Sequence, residues 1–230
     1  MRLDKYLHDL GFGSRKEIDR LLARRQVTVD GARVKKGATQ VKPESVVAID
    51  GELLVYAPTV WLMLNKPAGV ITATEDARHE TVMDLLPERL QVAPVGRLDK
   101  DTTGLLLLTN DGALAHRLLS PKRHVEKIYD VCYEETLVPD AVARCAAGID
   151  LGDFTSAPAA LALLEEGHCR LTLREGKFHQ VKRMLHALGG VVVALERVAF
   201  GGLALDAALA AGQWRLLSED EVAQLRAQVL

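Results

Sequence analysis

A chain of 230 residues, 48% hydrophobic and 26% charged, is long enough to bury one large domain and one small one, and its composition excludes wholesale disorder. No apolar run approaches the roughly 20 residues that span a bilayer, and charges interrupt Met1–Leu10 too often for a signal-peptide core, so a cytoplasmic protein with no membrane partner is expected. The net charge of −2 hides an asymmetry: residues 1–42 hold 11 Lys+Arg against 5 Asp+Glu, a net of +6, and the remainder carries −8.

A basic head on an acidic body is either a footprint for a polyanion or a solvated basic surface. Within the head, Leu3, Tyr6, Leu7 and Leu10 recur at helical spacing until Gly11. Ser14 and Glu17 form a capping box for a second helix, whose apolar face is Ile18, Leu21 and Leu22. Arg15, Lys16 and Arg20 fall outside that stripe. Val27-Thr28-Val29 followed by Asp30-Gly31 predicts a hairpin, leading into the basic segment Arg33, Lys35 and Lys36. Val46–Ile49 is a closing strand.

The boundary is expected at Ala57-Pro58-Thr59, with a head over 1–57, a linker over 58–60 and a body over 61–230. In the body, Trp61–Leu64 reads as a buried strand ended by Asn65-Lys66-Pro67, and Val70–Ala73 as a second strand. Further strands are predicted at Leu105–Thr109, Ile128–Tyr133, Ala160–Leu164, Cys169–Leu173 and Val191–Ala194. Helices are predicted at Asp111–Leu119, Pro139–Ala147 and Gln180–Leu188. Few crossovers are long enough for parallel pairing throughout, so the expected class is α+β with a mixed, mainly antiparallel sheet. Cys132, Cys145 and Cys169 include no CxxC pair, which argues for reduced thiols rather than disulfides or zinc.

Three segments carry chemistry. The first is a polar loop between Gly96 and Gly104, holding Arg97, Asp99, Lys100 and Asp101 and feeding into the apolar run Leu105–Leu108. A rigid strand holds such a loop while its side chains remain free to act. Catalysis and a salt-bridged turn both fit; the interleaved cations weaken a metal-binding reading. In the second, Val181, Met184, Leu185 and Leu188 form an apolar helix face, with His179, Lys182, Arg183 and His186 opposite. Lys182 and Arg183 would then lie near the helix start, where the macrodipole disfavours cations, which points to an anionic partner as well as to a plain solvated face. The histidine spacing of seven does not suit a zinc helix. The third segment, Lys127-Ile128-Tyr129, sets a tyrosine in a strand, either packed in the core or stacked on a base.

In this order the three segments resemble the RsuA family of pseudouridine synthases. The head is similar to an S4 RNA-binding domain through Arg2-Leu3-Asp4-Lys5-Tyr6-Leu7, Gly13-Ser14-Arg15 and Val27–Gly31. The Gly96-Arg97-Leu98-Asp99 motif, continuing from Asp101 to Gly112, is the most specific part of the match. Lys177–Met184 resembles the enzymes acting on small-subunit (16S) ribosomal RNA, with Phe178 where the family more often has Tyr.

The resemblance implies a pseudouridine synthase fold and the isomerisation of a uridine to pseudouridine, at a uridine-516-type site of 16S ribosomal RNA. It implies no cofactor and no metal. Asp99 would be the essential carboxylate, Tyr129 would stack on the target base, and Lys182 would supply the counter-charge. Arg97 would hold the flipped nucleotide, with further RNA contacts from His179, Arg183 and the head residues Arg15, Lys16, Arg20, Arg33, Lys35 and Lys36. The partner would be ribosomal RNA or an assembling small-subunit particle, met by a monomer. Rival readings are a synthase for 23S ribosomal RNA and a non-catalytic RNA-binding assembly factor.

Overall fold

The computed structural model describes residues 1–230 except 43, 55–58 and 88–89. It forms two compact units, Met1–Thr59 and Val60–Leu230. Ala57 and Pro58, expected at the boundary, lie outside the described residues.

The first unit contains α1 (Leu3–Asp9), α2 (Arg15–Arg24), β1 (Val27–Val29), β2 (Ala32–Arg33), β3 (Val47–Ile49) and β4 (Glu52–Leu54). Its strands pair antiparallel in the order β2-β1-β3-β4. Asp30 and Gly31 both adopt positive φ (52° and 80°), as a tight hairpin between right-twisted strands requires. Glu17 accepts hydrogen bonds from the backbone and hydroxyl of Ser14, at 2.7 and 2.6 Å, and so closes the start of α2. Leu3, Leu7, Ile18, Leu22, Val27 and Val47 make one small core.

Among the described residues, the second unit is built on a nine-stranded sheet. Its strands are β5 (Trp61–Lys66), β6 (Ala93–Pro94), β7 (Thr103–Thr109), β8 (Lys127–Glu134), β9 (Ala160–Leu163), β10 (His168–Leu173), β11 (Val191–Phe200), β12 (Leu203–Ala204) and β13 (Trp214–Leu216). The main order is β13-β5-β7-β11-β8-β10-β9, with β6 beside β7 and β12 beside β11. Among its described strands only β7 and β11 pair in parallel, so the sheet is mixed and mainly antiparallel. The helices are α3 (Gly112–Leu119), α4 (Ala141–Ala147), α5 (Gln180–Ala187) and α6 (Glu219–Ala227).

The leucine run of β7 is apolar throughout because both faces of the sheet are covered. Leu106 and Leu108 enter a core shared with Ala141 and Cys145 of α4 and Val181, Met184 and Leu185 of α5. Leu105 and Leu107 enter the opposite core with Leu114 and Leu118 of α3 and Leu225 of α6. Gly104 adopts φ +97°, and a Cβ there would collide with the carbonyl oxygen of Arg197. Only glycine lets β7 and β11 approach so closely just where the polar loop enters the sheet.

Three expectations change. Val70–Ala73 is not a strand: Ile71 makes a single bridge to Thr81, and the segment folds over the Asp99 loop instead. The strand expected to end at Ala194 continues to Phe200, because Glu196 and Arg197 pair with both β7 and β8. Trp61–Leu64 likewise extends through Asn65 and Lys66, which pair with Leu105 and Gly104. Among the described residues, no helix is long and apolar enough to cross a membrane.

Candidate active site

The loop before β7 is fastened from below. The Lys66 ammonium is fully buried and donates to the carbonyls of Pro67 and Thr102, both at 2.9 Å, and of Lys100 at 3.4 Å. Burial pushes its pKa down to about 8, against the opposing pull of Asp101 and Asp99. The folded-over segment fastens the other side: the Thr72 hydroxyl donates to Leu98 O at 2.8 Å and accepts from Leu98 N at 3.1 Å, and Gly69 N donates to Lys100 O at 2.8 Å. Asp99 thus projects from a backbone held at Leu98, Lys100 and Thr102.

The start of α5 is set by a second clasp. Glu175 accepts from Ala157 N at 2.8 Å and from the Gln180 side chain at 2.5 Å, while Gln180 Oε1 accepts from Lys177 N at 2.9 Å. His179, the N-cap residue, adopts a left-handed conformation (φ 49°, ψ 30°). Lys182 therefore lies in the first turn of the helix and extends to the carboxylate loop. Its Nζ is 3.4 Å from Asp99 Oδ2 and 2.6 Å from Asp101 Oδ1. The hydrogen bond from Lys182 holds Asp101 below the usual carboxylate range. His179 Nε2 lies 3.7 Å from Asp99 Oδ1. Asp99 is 29% exposed and Lys182 24%, so both are accessible without being fully hydrated.

These groups open onto a cleft of about 730 Å³, whose lining includes Arg97, Asp99, Tyr129, His179, Lys182 and Arg197. Tyr129 is buried to 8% exposure on β8, opposite Leu171 of β10 and Arg197 of β11, and forms part of the cleft wall. Arg197 is 2% exposed; its Nε donates to Leu105 O at 2.8 Å, whereas Nη2 is buried without a partner among the described residues. Thr102 Oγ1, also in the lining, is likewise unpartnered. Lys127 lines the cleft too; burial and the nearby Arg197 push its pKa down to about 8. The cleft thus combines an accessible carboxylate with its counter-charge, an aromatic wall and unfilled polar groups. That suits a flat, polar ring better than a hydrocarbon.

The sequence matches the family described as RNA pseudouridylate synthase over residues 60–187, and the S4 domain over residues 1–47. The chain belongs to the RNA pseudouridylate synthase family. It is 45% identical over 231 residues to the uncharacterized RNA pseudouridine synthase YtzG of Bacillus subtilis, covering 96% of this chain and 97% of that protein. It is 42% identical over 232 residues to ribosomal small subunit pseudouridine synthase A of Escherichia coli, covering 98% and 100%. A crystal structure of a pseudouridylate synthase superposes with a TM-score of 0.71 at 36% identity, covering 98% of this chain and 99% of that one. The protein is accordingly an RsuA-like isomerase of RNA uridines with an N-terminal S4 domain.

In this pseudouridylate synthase the remaining residues singled out by sequence are placed unequally. Arg97 is exposed in the cleft lining. Arg183 turns elsewhere, paired with Asp153, donating to Leu151 O at 2.7 Å and lying over the Phe154 ring. In the S4 domain, Arg15, Lys16, Arg20, Arg33, Lys35 and Lys36 are all exposed. Gly37, which follows Lys36, accepts a hydrogen bond from Asp4 N at 2.8 Å, so the Lys35–Lys36 segment ends against the start of α1. Lys66 and Thr72, which hold the Asp99 loop, were not singled out by sequence: a lysine is ordinarily expected at the surface. Among the described residues, no group of three His, Cys, Asp or Glu side chains is arranged to hold a metal ion.

Proposed function

We propose that this synthase isomerises a uridine of 16S ribosomal RNA, at a uridine-516-type site, with Asp99 as its essential carboxylate. The observation that carries the reading is the placement of Asp99 in the cleft, 3.4 Å from the Lys182 ammonium and in the same lining as the Tyr129 ring. Pseudouridine formation breaks the N1–C1′ bond, turns the uracil and joins C5 to the sugar. Each route to that exchange needs an ionised carboxylate beneath a base that has left its stack. Lys182 sets a positive charge 3.4 Å from that carboxylate, and Tyr129 offers a flat wall for uracil. Attack on C1′, addition to C6 and removal of the C2′ proton all begin with the same group.

Arg97, exposed at the cleft, suits the phosphate of the flipped nucleotide. The basic α2 face and the Lys35–Lys36 segment of the S4 domain suit backbone contacts, which add affinity and register without reading sequence. The substrate assignment draws on the likeness to ribosomal small subunit pseudouridine synthase A. A cytoplasmic monomer acting on ribosomal RNA or an assembling particle completes the reading. Its test is to treat RNA of each ribosomal subunit with the enzyme and map carbodiimide-dependent primer-extension stops. A new stop in the small-subunit RNA is expected; a stop confined to large-subunit RNA would refute the substrate assignment.

A further inference from the structure

Beside Asp99 the rim of the cleft carries a pair of parallel rings. Phe178 and His179 stack with centroids 3.8 Å apart and planes 17° apart, and both belong to the cleft lining. Phe178 is 76% exposed, more than any other large hydrophobic side chain among the described residues except Leu230. Adjacent side chains of an extended strand point to opposite sides. The left-handed backbone at His179 (φ 49°), uncommon for a residue with a Cβ, is where these two overlap instead. From the cleft outward the order is Asp99, His179, Phe178, with His179 Nε2 3.7 Å from the carboxylate. Lys177, Lys100 and Arg97 are exposed in the same lining, so the open aromatic surface sits among cations.

We propose that Phe178, backed by His179, is a stacking platform for the nucleobase adjoining the target uridine. The proposal rests on the reading that the uridine reacts at Asp99. When that uridine leaves its stack, its neighbour loses a stacking partner, and an exposed ring beside the cleft replaces it. The surrounding cations match the phosphates on either side of such a base and do not match an apolar protein segment. A platform of this kind tolerates any base, because every base has a π-face. It fixes where the strand enters the cleft and leaves the chemistry at Asp99 unchanged.

The test uses the full-length protein and a small-subunit RNA fragment carrying 5-tritiated uridine. Phe178→Leu should raise KM about tenfold with kcat within about twofold, and Phe178→Trp should restore wild-type values. In a parallel arm, 2-aminopurine is placed on the 5′ side of the target uridine in one RNA and on the 3′ side in another. Wild type should quench one of them on binding, and Phe178→Leu should abolish that quench. An unchanged KM, a fall in kcat alone, or a quench that survives Phe178→Leu would overturn the platform. Failure of the substrate reading shows separately, as no tritium release by the wild type, whereas failure of the platform leaves wild-type release intact and shows only in the Phe178 comparisons.

Discussion

Lys182→Met removes the cation nearest Asp99 while keeping most of the side chain's length. At 3.4 Å, Coulomb's law gives about 1 kcal/mol in the dielectric of water and about 5 kcal/mol at an effective value near 20. Both groups are about a quarter exposed, so solvent screening sets the working figure nearer 2 kcal/mol. If that interaction is made fully in the transition state, its loss lowers the rate about 30-fold. The assay is single-turnover tritium release from 5-tritiated uridine RNA at saturating RNA. Asp101 supplies the control, since Lys182 lies closer to it, at 2.6 Å, than to Asp99. Asp101→Asn should keep the rate within about threefold, and Lys182→Met should still cost about 30-fold in that background. Near-normal turnover by Lys182→Met would refute the reasoning. So would loss of the Lys182 effect once Asp101 is neutral, because the operative pair would then be Lys182–Asp101.

Three further outcomes test the scaffold and the head. Lys66 has a pKa of about 8 in the folded protein, below the ~10.4 of an exposed lysine, so between these values the unfolded chain binds more protons and stability rises with pH. In urea unfolding, wild type should therefore gain about 2 kcal/mol relative to Lys66→Met between pH 7 and pH 9.5; a constant difference, or one of opposite sign, would contradict the burial argument. Gly104→Ala should lose about 2–4 kcal/mol by the same assay, since β7 and β11 must part to admit the methyl group; a loss under about 0.5 kcal/mol would disprove the close approach. The double variant Lys35→Gln, Lys36→Gln should flatten the slope of log affinity against log salt by about 1.4, with turnover at saturating RNA unchanged, and an unaltered slope would remove this segment from the RNA contact.

The parts of the site legible in the sequence were those whose local pattern matches their role. Gly96 and Gly104 bracket the Asp99 loop, and the apolar spacing of Val181, Met184 and Leu185 leaves Lys182 on the opposite side of α5. The hidden parts were charged residues used against type. Lys66 reads as the end of a strand, yet its ammonium is spent on three backbone carbonyls beneath the loop. The strand expected over Val191–Ala194 runs on as β11 because Arg197 is buried and bonded to Leu105 O. Val70–Ala73 has the composition of a strand, but its Thr72 hydroxyl bonds the backbone of Leu98, a tertiary contact no periodicity encodes. The last helix, α6, carries its own local signal in the sequence: Ser218 and Glu221 form a capping box at its start.

All of this converges on one carboxylate. The Lys66 bonds, the Thr72 clasp, the α5 start and the Tyr129 wall are arranged around Asp99. The most direct test compares wild type with Asp99→Asn, a near-isosteric change, for tritium release from 5-tritiated uridine small-subunit RNA and for binding of the same RNA. The account predicts release by the wild type, none by Asp99→Asn, and affinities within about threefold of each other. Tritium release by Asp99→Asn at a rate near that of the wild type would contradict it.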